Sequence, residues 1–243
     1  MTGPLLEIAG LTKRFGGVYA NRDVSFSVPR GEIVGLIGPN GAGKTTLFNL
    51  VTGFIRPDSG SVRFGGAEVT GMRADRLCHL GVARTFQILK PFPRLTVEEN
   101  VMIGALARGG GMRRARESAR RCLALVGLDH KREVQARGLS TGQRKRLEMA
   151  RALATGPQLL LLDEITGGVD QPSIPGLIAL VGRLRDEGVT LLVIEHNMRV
   201  IMGLADRVVF LHLGEKLAEG RPAEIAAHPD VVALYLGRRD GGH

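Results

Sequence analysis

The sequence predicts an α/β fold with a parallel central sheet, a small antiparallel sheet near the N-terminus and an inserted helical subdomain. Three observations carry that expectation. Predominantly apolar runs recur at residues 33–37, 159–162, 189–194 and 208–213, the signature of strands buried on both faces. Helical stretches such as 44–54 and 174–187 lie between them, and strands alternating with helices argue for parallel pairing with right-handed crossovers. From about residue 96 to 153 the strand signals stop, and a helical pattern continues apart from glycine-containing breaks at 109–111 and 127–138.

The elements follow in order. Residues 5–11 and 24–28 read as short strands, the second closed by Pro29-Arg30-Gly31-Glu32. Residues 61–64 and 67–69, joined by Gly65-Gly66, read as a further antiparallel pair. The apolar run 33–37 leads through a glycine-rich loop into the helix at 44–54. This organisation makes residues 1–240 one domain, in which 1–95 and 154–240 form the α/β core with its β subdomain and about 96–153 form the helical subdomain.

Composition excludes several classes. With 243 residues, 44 % of them hydrophobic, the chain can bury a full core and is neither disordered nor fibrous. No apolar run approaches the roughly 18–20 residues that cross a bilayer. The start, Met1 to Glu7, lacks the basic and apolar segments of a secretory signal, so cytosolic synthesis is expected. Cys78 and Cys122 form no CxxC pair and read as reduced packing residues rather than a disulfide or metal site. The net charge of +9 is compatible with nucleic acid, an anionic membrane face or phosphorylated ligands, so charge alone selects no partner. It is concentrated: residues 108–151 hold 13 Lys and Arg against 4 Asp and Glu, which equals the whole excess.

Chemistry enters with Gly38-Pro39-Asn40-Gly41-Ala42-Gly43-Lys44-Thr45, a complete GxxxxGK[ST] pattern between a predicted strand and a predicted helix, followed by Thr46. Small residues let backbone N–H groups curl around phosphates, and the helix N-terminus adds its positive end. Lys44 can neutralise β- and γ-phosphate charge, and the Thr45 hydroxyl can ligate Mg²⁺, so a nucleoside triphosphate with Mg²⁺ is the expected ligand. The run Leu159-Leu160-Leu161-Leu162 ends in Asp163 and Glu164. In a parallel sheet ligands sit beyond the carboxyl ends of strands, which places Asp163 to hold Mg²⁺ and leaves Glu164 to polarise a water. Leu139-Ser140-Thr141-Gly142-Gln143 opens another helix, and Ser140 with Gln143 three places on is a capping-box pattern.

Taken together, these motifs resemble the nucleotide-binding subunits of ABC transporters, in the family's order and over nearly the whole chain; in that family residues 139–143 match the signature commonly written LSGGQ. The resemblance implies a P-loop NTPase (RecA-like) core. It implies that Phe15 stacks on adenine, that Gln87 senses Mg²⁺ and the attacking water, that His196 contacts the γ-phosphate and that Asp170 belongs to a loop communicating across a dimer. It makes Lys44, Gln87, Glu164 and His196 catalytic, and Ser140, Gly142 and Gln143 part of the surface that covers the ATP of a second subunit. Two positions depart from the family pattern: Ile165 stands where Pro is usual and Thr141 where Gly is usual. Neither removes a catalytic group, though both bear on loop geometry.

Residues 81–87, 195–202 and 229–237 look like the corresponding stretches of ATPase subunits of bacterial branched-chain amino acid importers, with urea and amide importers close behind. The resemblance implies an ATPase on the cytoplasmic face of the inner membrane. Its partners would be a second ATPase subunit, identical or paralogous, transmembrane permease subunits and, indirectly, a substrate-binding protein, with no nucleic acid. The alternatives are a soluble ABC ATPase acting on nucleic acid or ribosomes, and an exporter ATPase such as that for lipopolysaccharide.

Overall fold

The computed structural model describes residues 3–85 and 91–236. In chain order they form β1 (Leu6–Phe15), β2 (Val18–Val28), β3 (Ile33–Ile37), α1 (Lys44–Val51), β4 (Ser59–Phe64), β5 (Ala67–Glu68), α2 (Ala74–Leu80), β6 (Val82–Arg84), α3 (Val97–Leu106), α4 (Gly111–Val126), α5 (Thr141–Leu153), β7 (Leu159–Asp163), α6 (Ile174–Asp186), β8 (Thr190–Ile194), α7 (Met198–Leu204), β9 (Arg207–His212), β10 (Glu215–Gly220), α8 (Pro222–Ala227) and α9 (Pro229–Leu236). The chain divides into two compact units, one made of Met1–Ala74 with Thr190–His243 and the other of Asp75–Val189.

In the first unit the antiparallel sheet has the order β2-β1-β4-β5. The hairpin β1–β2 runs well beyond the two short segments that the sequence suggests. The register slips between Ile8 and Leu11, again before Lys13, and again before Arg14. Such bulges break the two-residue period by which strands are read, and Gly10, at φ +61°, sits in the first of them. The second sheet places β3 between β8 and β9, all parallel, with β10 antiparallel on the outer side of β9. All five residues of β3 are buried, as a central parallel strand demands.

In the second unit β6 and β7 pair in parallel, Val82 with Leu159 and Arg84 with Leu161, and α3, α4 and α5 pack on one another. Helix α4 buries a narrow stripe, Ala115, Ala119, Leu123 and Val126, spaced to fall on one face. Its opposite face carries Arg113, Arg114, Arg116, Arg120 and Arg121, all exposed. Two of them converge on one acid of α3: Arg120 lies 2.7 Å and Arg116 3.6 Å from Glu98. Both thiols are free, and burial pushes that of Cys122 up, away from the reactive thiolate. Among the described residues no helix is long and apolar enough to cross a membrane.

One buried polar side chain fixes the entry to α3. Asn100 has no exposed surface. Its Oδ1 accepts from the Phe92 N–H at 2.9 Å, while its Nδ2 donates to the Phe92, Leu95 and Thr96 carbonyls at 3.0, 3.3 and 2.9 Å. The capping box of Thr96 and Glu99 secures the same turn. Each of the three carbonyls also accepts a backbone N–H, so replacing Asn100 with Ala strands one donor, the Phe92 N–H, and urea denaturation of Asn100→Ala is expected to show a loss of about 1–3 kcal/mol with an unchanged slope.

Candidate functional site

The glycine-rich loop between β3 and α1 is held from outside. Gly38, Gly41 and Gly43 have φ of +149°, +79° and +97°. A Cβ on Gly38 would overlap the Leu211 carbonyl oxygen, and one on Gly43 would overlap that of Ala20. The buried Asn21 donates from Nδ2 to the Gly43 carbonyl at 3.3 Å. The turn after β9 contributes a further tie, Gly214 N–H to the Ala42 carbonyl at 3.2 Å, and itself accepts from the Arg22 N–H at 2.8 Å. Helix α1 starts at Gly43 without a side-chain cap. Its first-turn N–H groups are therefore the orphans that an anion satisfies best. Lys44, 6 % exposed, donates from Nζ to the Gly38 and Pro39 carbonyls at 2.8 and 3.0 Å, which folds the ammonium back over the loop. Thr45 is exposed beside it and Thr46 half-buried.

His196 follows β8. Leu36 of β3 pairs with Ile194, and His196 follows the carboxyl end of β8 as Gly38 follows that of β3. Its side chain is exposed, and Asn197 next to it caps α7 by accepting from the Arg199 N–H. Phe15 ends β1 with half of its surface exposed, and the Lys13 ammonium sits 5.7 Å from its ring centre. An exposed aromatic ring at a hairpin end offers a stacking face. The same hairpin holds a second one that the sequence reading missed: Tyr19, flanked by the Arg22 and Arg14 guanidinium groups at 4.7 and 5.5 Å.

In the second unit Asp163 closes β7 and is 2 % exposed. Its Oδ2 accepts from the Arg84 guanidinium at 2.8 Å, and its N–H donates to the Thr85 hydroxyl at 3.1 Å. Arg84, whose side chain is also nearly covered at the end of β6, was not apparent from sequence; the one available signal was a charged residue ending a short apolar run. Glu164 is one of three non-glycine residues at positive φ among the described residues, at +50°. Its carbonyl accepts from the Nζ of Lys145 at 2.7 Å. Ile165, 1 % exposed, packs into the core directly after it. Gln87 lies outside the described residues.

Ser140 caps α5, accepting from the Gln143 N–H, while the Gln143 side chain accepts from the Ser140 N–H, so the capping box read from sequence is formed. Gly142 is buried, and a Cβ there would lie in ordinary van der Waals contact with Val169 and Ser173. The Thr141 methyl group lies where a Cβ on Gly168 would touch it, 3.8 Å away. Asp170, on the same loop, accepts from the Ser173 hydroxyl at 2.9 Å. The second unit thus gathers Asp163, Glu164, the signature and the loop of Asp170, and the first gathers the glycine-rich loop and His196. A hydroxyl such as that of Thr45 and a carboxylate such as that of Asp163 are hard oxygen donors of the kind that suits Mg²⁺.

A family model described as ABC transporter matches residues 21–167. The chain belongs to the ABC transporter family. The cassette also matches, over residues 215–241, a model described as branched-chain amino acid ATP-binding cassette transporter. It is 39 % identical to the high-affinity branched-chain amino acid transport ATP-binding protein BraF of Pseudomonas aeruginosa, over 98 % of this chain and 99 % of that protein. To LivG of Escherichia coli K12, which carries the same description, it is 38 % identical with the same coverage. The ADP conformation of the cassette MJ1267 superposes with a TM-score of 0.89 at 33 % identity, covering 97 % of this chain and 100 % of that one. The dimeric cassette MJ0796 gives 0.80 at 28 % identity, covering 89 % and 98 %. The expected P-loop NTPase fold and ATPase class are therefore correct for this cassette, and it binds nucleotide.

Gly43→Ala is expected to abolish nucleotide binding, with affinity for a fluorescent ATP analogue falling at least about a hundredfold, because the new Cβ collides with backbone at a positive φ. Gly41→Ala meets no atom within 4 Å and carries only the backbone strain of about 1–3 kcal/mol, so its affinity should fall far less in the same titration.

Proposed function

We propose that this cassette is the ATP-hydrolysing subunit of a membrane importer, with branched-chain amino acids or a related small polar solute as cargo. The likeness to BraF and LivG over nearly the full length supports this reading, and the 215–241 match extends it to the C-terminal part of the chain. The partners would be a second cassette, identical or paralogous, transmembrane permease subunits and a substrate-binding protein acting through them. The cassette would sit peripherally on the cytoplasmic face of the inner membrane.

In this reading each residue has one task. Residues 38–46 wrap the triphosphate, Lys44 neutralises the β- and γ-phosphates, and Phe15 stacks on adenine. Thr45 and Asp163, with Gln87, would hold Mg²⁺, which supplies charge neutralisation on the phosphate oxygens. Glu164 accepts a hydrogen bond from the attacking water and orients it, and His196 contacts the γ-phosphate. Ser140, Gly142 and Gln143 present the N-terminus of α5 to the ATP of the second cassette, and Asp170 relays across the dimer. The capping box occupies the Gln143 N–H, so the donors left to that end are earlier in the first turn.

The exposed arginines of α4 favour one competing reading, a soluble ABC ATPase acting on nucleic acid. Purified cassette assayed for ATP hydrolysis with permease subunits, and separately with DNA or RNA, separates the two. Stimulation by the permease with co-purification is expected, and strong stimulation by nucleic acid without membrane partners overturns the importer reading. Glu164→Gln should bind ATP with normal affinity, lose turnover by about 10²–10⁴-fold and accumulate an ATP-bound dimer on size-exclusion chromatography. Normal turnover in that variant would show that another group acts as base.

A further inference from the structure

Lysine is among the residues least often buried without a partner, yet Lys145 is 5 % exposed and lies on the buried side of α5 with Gly142 and Met149. Among the described residues its ammonium has one hydrogen-bond acceptor, the backbone carbonyl of Glu164. That carbonyl takes a second hydrogen bond, from the Gly167 N–H at 3.3 Å. The residue so gripped is held at φ +50°, a conformation that costs a non-glycine residue free energy and persists only where its surroundings impose it. A proline at position 165 would steer residue 164 toward extended backbone. Ile165 applies no such restraint, and the two hydrogen bonds to the Glu164 carbonyl, with the burial of Ile165, help to impose the conformation.

The lysine stands five positions beyond Ser140 on the helix whose N-terminus carries the signature. One side chain therefore ties the signature helix to the peptide unit that aims the Glu164 carboxylate. We propose that Lys145 is a positioning residue: it sets the backbone of Glu164, so that the placement of α5 determines whether that carboxylate is aligned for catalysis. The idea rests on the reading of Glu164 as the residue that orients water.

The test is steady-state ATP hydrolysis by the purified full chain, with ATP affinity measured in parallel. Lys145→Met should lower kcat by about tenfold to a hundredfold while KM and ATP affinity stay within twofold, since misplacement of a reacting group by about 1 Å has effects of that size. Lys145→Arg keeps a charged donor and should recover kcat to within about threefold. In a Glu164→Gln background, Lys145→Met should leave the ATP-bound dimer intact on size-exclusion chromatography. Where Lys145→Met does not fold, Lys145→Gln carries the same test, with an intermediate kcat expected. Unchanged kcat in the Met or Gln variant overturns the proposal, as does an equal loss in the Met and Arg variants or a parallel loss of ATP binding. Glu164→Gln measured alongside keeps the two readings apart. Full turnover there removes the assignment of Glu164, whereas its inactivation beside a fully active Lys145→Met removes only the role of Lys145.

Discussion

A phosphate-binding loop must keep backbone N–H groups turned toward a ligand that is not part of the protein, and this constraint organises the first unit. Groups reserved for an anion cannot also stabilise the loop by hydrogen bonding to it from within. Apart from the Ala42 N–H, which donates to the Pro39 carbonyl at 3.1 Å, the loop is therefore held by its carbonyls and by its close packing. Asn21 and Gly214 donate to the carbonyls of Gly43 and Ala42, the Lys44 ammonium closes on those of Gly38 and Pro39, and the Leu211 and Ala20 carbonyls press where a side chain would stand. Two segments remote in sequence, residues 20–21 and 211–214, thus meet on one eight-residue turn.

The second unit answers a related difficulty with buried charge. Asp163 and Arg84 are both nearly inaccessible, and neutralise each other across adjacent strand ends. Lys145 spends its charge on a peptide carbonyl instead. Pairs of this kind add little net stability over apolar packing, because desolvation offsets the attraction, but removing one member leaves the other stranded. Their value lies in orientation. Asp163 is fixed by its side chain and Glu164 by its backbone, so two neighbouring carboxylates leave one strand with different freedoms.

What the sequence disclosed depends on whether a feature is contiguous. The residues 38–45, the apolar run into Asp163 and the capping box at Ser140 are local patterns whose chemistry follows from spacing, and the structure forms each of them. Arg84 and Lys145 belong to no motif, because their importance comes from the groups that folding brings opposite them. The β1–β2 hairpin was cut short in the sequence reading because its bulges disturb the alternation. The three-residue β6 is too brief to show a period, although it aligns Arg84 with the neighbouring strand. Helix α4 was legible as a basic helix, but its two-to-one pairing on Glu98 was not, since the acid lies on another helix.

The tie from Gly214 to Ala42 also bears on how the chain is made. The loop leaves the ribosome early, but the turn that clasps it, and both strands that flank β3 within its unit, are encoded roughly 150–170 residues later, so closure of the loop is a long-range event. During synthesis the glycine-rich segment is a flexible stretch without its nucleotide-ready form. The nascent polypeptide acquires that form only when its last quarter arrives. A message cut short before β9 therefore yields a product that carries the whole phosphate-binding motif in its sequence and lacks the scaffold to shape it.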